Sequence, residues 1–146
     1  MPFTEPNKIK RAKAMNQKAA ATCQIKKQEE VTFSEVPRGP KLTKASFVLA
    51  YQGELQGEGI LEELKVHFSD KRAAMYGLLR ITGCLGELSG SFVLRHTGRL
   101  VNGVVLSKQT VVPGSATGRL KGLRGEMSLQ SVSAKEFPIL FRYYFA

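Results

Sequence analysis

The chain of 146 residues carries 22 Lys and Arg against 12 Asp and Glu, a formal charge of +10, with two cysteines and no tryptophan. That length can bury a core without staples, and Cys23 and Cys84, far apart and in no metal-ligand spacing, argue against a disulfide framework or a zinc site. No apolar run approaches the ~18 residues of a membrane span and no signal-like apolar segment opens the chain, so a cytoplasmic protein with no membrane partner is expected.

Residues 1–19 are polar and basic, with Lys8, Lys10, Arg11, Lys13 and Lys18 against Glu5, and Pro2 and Pro6 near the start. They are predicted to form a flexible basic tail ahead of one domain over 20–146. Cys23, Ile25 and Lys27 alternate with Gln24 and Lys26 in a first predicted strand, and 28–41, holding Pro37, Gly39 and Pro40, reads as a connection. Ala45, Phe47, Leu49 and Tyr51 line one face of a second strand. In the third, residues 54–68, the apolar phase starts odd at Leu55 and Leu61 and continues even at Leu64, Val66 and Phe68. A change of phase would send later side chains to the opposite face, so a bulge is predicted at Glu62-Glu63.

Ser69-Asp70-Lys71 predicts a hairpin turn into a strand carrying Met75, Leu79 and Ile81. After the turn at 86–90, Phe92 and Leu94 alternate with Ser91, Val93 and Arg95. Asn102-Gly103 supplies another turn, Val104 to Val112 reads as a strand covered on both faces, and Pro113-Gly114 ends it. Met127 and Leu129 mark a short strand, and Phe137, Ile139, Phe141, Tyr143 and Phe145 give the cleanest alternation of the chain. About eight strands at short spacing, with no strong helical period, predict an all-β fold. A small closed antiparallel barrel is preferred because closure removes exposed edges; a sandwich is the alternative.

Three segments carry a resemblance: PKLTKASF (40–47), GSFVLRHTG (90–98) and VVPGSATGRLKGLRGE (111–126). Together they resemble a bacterial family of unknown function with the allene-oxide-cyclase-like fold, a barrel related to the lipocalins. The similarity runs from about residue 20 to residue 144. It implies a barrel that associates with itself as a homo-oligomer, and it implies no reaction. Plant allene oxide cyclase and the bacterial cyclases that shape an apolar polyene are analogies at the level of fold.

Glu58 and Glu62 share a strand face about 13 Å apart at ~3.3 Å per residue, too far for a glycosidase pair. A bulge would re-aim Glu62 into the barrel mouth, as a general base or to stabilise a developing cation. A solvated or ion-paired strand face is the plainer account of both carboxylates. His96 falls on the face of Phe92 and Leu94, either as a general base or as a core imidazole bonded to a carbonyl. The stretch GSATGR at Gly114 is one residue short of a phosphate-binding loop and lacks its lysine. No motif requires a metal or cofactor.

The leading expectation is a barrel holding a small, largely apolar molecule. Phe47, Tyr51, Phe92, Leu94, Phe141 and Tyr143 would line the cavity, Glu58 would help to bind, and Glu62 and His96 would be its catalytic candidates. An enzyme of the cyclase or isomerase type, using one carboxylate, is the first alternative. The second is a single-stranded nucleic-acid surface built from Arg80, Arg95, Arg142, Tyr76 and Tyr144. Nucleic acid is the less favoured partner because no recognition motif is present.

Overall fold

Turn chemistry sets the topology. Asn102 and Gly103 adopt positive φ angles of 51° and 83°, the geometry a two-residue hairpin loop demands. Similar short reversals follow most strands, so neighbours in sequence pair in space. The computed structural model describes residues 17–131 and 135–146. Residues 1–16, most of the expected basic tail, lie outside the described residues.

Eight strands follow in order: β1 (Gln17–Ser34), β2 (Lys41–Gly53), β3 (Leu55–Ser69), β4 (Arg72–Leu85), β5 (Leu88–Val101), β6 (Val104–Val111), β7 (Leu123–Ser131) and β8 (Glu136–Phe145). Each pairs antiparallel with the next, and Gln17–Gln24 of β1 pairs with Glu136–Tyr143 of β8. The sheet is therefore a closed barrel, as the alternation predicts. A short 3-10 turn, Gly118–Leu120, lies between β6 and β7.

Two sequence expectations need correction. The stretch 28–34, read as a connection, continues β1. The bulge predicted at Glu62-Glu63 does not exist: β3 pairs without a break from Gly57 to His67 against β2, and from Leu55 to His67 against β4. Leu64 and Phe68 break the apolar pattern because they point outward, 53% and 54% exposed, while Glu63, Lys65 and His67 keep the inward phase of Leu61. The bulge that matters lies between Ile25 and Lys27 of β1. It switches the inward set from Ala19, Ala21, Cys23 and Ile25 to Gln28 and Glu30, whose cross-strand partners Phe47 and Ala45 face the interior.

The barrel is filled unequally. At the end carrying the β2–β3 and β4–β5 turns, Leu55, Leu85, Phe92, Leu120, Leu123 and Phe141 are almost wholly buried. Phe141 stacks between Phe92 and Tyr143, with centroids 5.6 and 5.5 Å away. This is the solid interior expected of a narrow barrel. Replacing Phe141 with Ala would leave a void at the centre of that stack, and the expected loss is about 3–5 kcal/mol of unfolding free energy, measurable by urea denaturation.

Candidate functional site

The opposite half of the barrel is not filled. A cavity of about 430 Å³ opens between the inner faces of the strands toward the β3–β4 and β5–β6 turns. Its apolar wall comes from β1, β2, β7 and β8, through Ile25, Phe47, Leu49, Leu129 and Phe137. Its polar wall comes from β3, β5 and β6, through Glu63, Lys65, His96, Ser107 and Gln109.

Strand register assembles the polar wall. Glu30, Ala45, Glu63, Gly77, His96, Gln109 and Met127 are successive cross-strand partners from β1 to β7. Glu63 and His96 are separated by a whole strand, yet Glu63 Oε2 meets His96 Nε2 at 2.9 Å. They meet because Gly77 stands between them. A Cβ at Gly77 would lie 2.9 Å from the Glu63 Cβ and closer still to the Glu62 carbonyl oxygen. Ala45 has a similar role one strand earlier, where Lys65 spans from Glu63 Oε1 at 3.5 Å to Glu30 Oε1 at 3.0 Å.

The hydrogen bonds fix the tautomer that a neutral His96 ring adopts beside an ionised Glu63. An ionised carboxylate only accepts, so His96 Nε2 carries the proton given to Glu63. In the neutral ring Nδ1 then accepts, and Gln109 Nε2 donates to it at 3.0 Å. This leaves Gln109 Oε1, together with Ser107 Oγ, buried without a hydrogen-bond partner among the described residues. A buried polar atom left unpaired costs about 1–3 kcal/mol, and here both belong to the cavity wall.

Toward the mouth, Glu30 accepts from Thr43 Oγ1 at 2.8 Å and lies 3.0 Å from His67 Nε2. Burial pushes the Glu30 carboxyl up, but the hydrogen bonds from Lys65, Thr43 and His67, with the Lys65 charge, more than offset it and hold it below its ordinary value. Deeper in, Cys23 and Tyr51 are neighbours in the lining. Burial, partly opposed by the Tyr51 hydrogen bond, raises the Cys23 thiol from 9.0 to about 11. Burial, with the Cys23 contact adding to it, raises the Tyr51 phenol well above its ordinary value. Both stay protonated at neutral pH. Among the described residues no cluster of three or more His, Cys, Asp or Glu is placed to hold a metal ion.

The sequence candidates are only partly brought together. Phe47, Tyr51 and His96 line the cavity. Phe92, Leu94 and Phe141 face inward but belong to the solid end, and Tyr143 packs beyond them, so none of the four lines the cavity. Glu58 is exposed on the outer face. Glu62 also points outward, accepting a hydrogen bond of 2.6 Å from Ser46 Oγ, and the interior carboxylate is its neighbour Glu63. Without a bulge, the odd phase of Leu61 runs on through Glu63, Lys65 and His67, and that continuity was the available signal. Ser107 and Gln109 were missed although they alternate in phase with Val111. Glu30 had no signal, because its inward direction depends on the β1 bulge. Arg80 and Arg95 project from β4 and β5, whereas Arg142 and Tyr144 lie on β8 at the far side of β6 and β7, so these residues form no single face.

Comparison with known proteins gives fold and family. A family model described as "Protein of unknown function (DUF3224)" matches residues 19–143. A crystal structure of a protein of unknown function from the DUF3224 family of Shewanella oneidensis MR-1 superposes with a TM-score of 0.69 at 23% identity, covering 89% of this chain and 99% of that one. No curated protein matches.

Two outcomes follow from the geometry. Gly77→Ala is expected to drive Glu63 and His96 apart and to cost about 1–3 kcal/mol, read as a lower urea midpoint together with a changed imidazole NMR shift for His96. In the folded protein at pH 8, Cys23 is expected to resist iodoacetamide because its thiol keeps its proton to about 11. Urea should expose it to alkylation, which peptide mass mapping would detect.

Proposed function

The chain belongs to the DUF3224 family, to which no activity is attached, and from the cavity itself we propose that this protein binds a small, largely apolar molecule inside the barrel. The supporting observation is the half-empty interior: about 430 Å³, within the ~300–1,000 Å³ range of small-molecule sites and with their pattern of apolar lining and few polar groups. Apolar surface left open inside a barrel forgoes burial worth about 25 cal/mol per Å², and an apolar occupant recovers it. The kinship with allene-oxide-cyclase-like barrels is proposed at the level of fold alone.

A second reading is an enzyme of the isomerase or cyclase type, favoured by one observation: the Glu63–His96 pair lines the cavity. A carboxylate and an imidazole in contact can share a proton with a bound molecule. Glu63 takes the role that Glu62 cannot fill from outside.

Self-association is proposed on the outer face, where Ile60, Leu64, Phe68, Tyr76 and Leu78 of adjoining β3 and β4 are exposed, the last two by 57% and 59%. Exposed apolar patches of this kind mark contact surfaces. Leu78→Lys is expected to shift the protein to a smaller species in sedimentation velocity; an unchanged distribution would remove this face from the proposal.

Native mass spectrometry of protein purified from its own host tests the ligand reading. The expected result is a co-purifying small molecule that is lost when Met75→Trp fills the cavity. For the enzyme reading, Glu63→Gln should retain that molecule and abolish any chemical change in it, whereas unchanged turnover would exclude Glu63 as the base.

A further inference from the structure

The polar wall also speaks to the chemistry of the occupant. Resting on the ligand-binding reading above, we infer that the molecule is a neutral alcohol or phenol whose hydroxyl is bound by Gln109 and Ser107, and not a carboxylic acid. Two observations converge on this. The first is the pair of buried atoms without partners, Gln109 Oε1 and Ser107 Oγ, on lining residues two apart and on the same face of β6. The carboxamide oxygen can only accept, and the serine hydroxyl can donate or accept. A ligand hydroxyl gives its one proton to the first and accepts a hydrogen bond from the second.

The second observation is the charge already present. Lys65 is shared between Glu63 and Glu30, and its ammonium brings no unspent positive charge to the row. Glu63 itself lies beside His96 in that row, only 4% exposed. A ligand carboxylate placed there would face a like charge in a poorly solvated site and would meet an acceptor at Gln109. Lys135 is the cation that could receive an acid, but it lines the rim and is exposed. An acid held by Lys135 would leave both orphaned atoms unsatisfied.

Size constrains the hydrocarbon part. A cavity of ~150 Å³ accommodates benzene, and the space here is almost three times that, so a fused bicyclic skeleton is a suitable probe. The experiment uses the full chain and displacement of the neutral fluorophore N-phenyl-1-naphthylamine by naphthalene, 2-naphthol and 2-naphthoate at neutral pH. The expected order is 2-naphthol tightest, about tenfold better than naphthalene, the worth of a hydrogen bond to a buried acceptor, with 2-naphthoate weakest. Ser107→Ala and Gln109→Leu, checked for native circular dichroism, should each bring the affinity for 2-naphthol toward that for naphthalene measured on the same variant.

Equal binding of naphthalene and 2-naphthol by the unaltered protein would overturn the inference while leaving an apolar cavity. Tighter binding of 2-naphthoate that disappears in Lys135→Ala would also overturn it, moving the head group to the rim. A fluorophore that finds no site would defeat the ligand-binding reading, and this inference with it. The three-ligand comparison needs no variant, so a substitution that fails to fold does not block the test.

Discussion

The contact between Glu63 and His96 across Gly77 is the constraint on which the open half of the barrel depends. Two groups 4% and 5% exposed are tolerated there only because each satisfies the other, and breaking such a buried pair by removing one partner typically costs about 3–5 kcal/mol. The pair requires three strands in fixed register and a glycine on the middle one. Given that register, Gln109 reaches the free imidazole nitrogen and Lys65 reaches the free carboxylate oxygen. A one-residue slip between β3 and β4 would turn Glu63 outward and dismantle the wall.

The two ends of the barrel divide the tasks of stability and recognition. The stack of Phe92, Phe141 and Tyr143, with leucines from the turns and from the 3-10 segment, fills one end and fixes the closure of the sheet. The other end trades that packing for space and polar groups. Removing apolar contacts from half of a small barrel is tolerable because the strand ladders are continuous around it and the ionic row ties β1, β3 and β5 together across the small residues Ala45 and Gly77. The cavity is thus framed by a rigid closed end and a cross-linked open one.

The β1 bulge extends this arrangement to the mouth. Before it, β1 contributes the small side chains Ala19, Ala21 and Cys23 to the barrel interior; after it, Glu30 faces Lys65 and His67. A single extra residue converts one strand from a core element into part of the polar row. Bulges re-aim side chains near sites in many barrels, and here the device sits on β1, two strands from where apolar periodicity alone would put it.

Much of the architecture was legible in the residues themselves. Period-two alternation in Phe137–Phe145 and Phe92–Leu94, the Asn102-Gly103 turn and the short, even spacing of apolar runs determine the strands and their antiparallel order, because these are local steric and solvation preferences. The barrel is preferred over a sandwich because closure removes exposed edges, and the pairing of β1 with β8 decides it. Residues Phe47, Tyr51 and His96 were placed toward the interior by the same local preferences. The location of the cavity was not local. Alternation says which face a side chain occupies, but not whether the space beyond is filled, so Phe92, Leu94 and Phe141 could not be told from true lining. The assumption that apolar means inside also misled the reading of β3, where Leu64 and Phe68 lie outside and Glu63 within. Only the tertiary structure decided that, since a buried carboxylate becomes affordable through partners brought from β5 and, by way of Lys65, from β1, and no stretch of β3 records their presence.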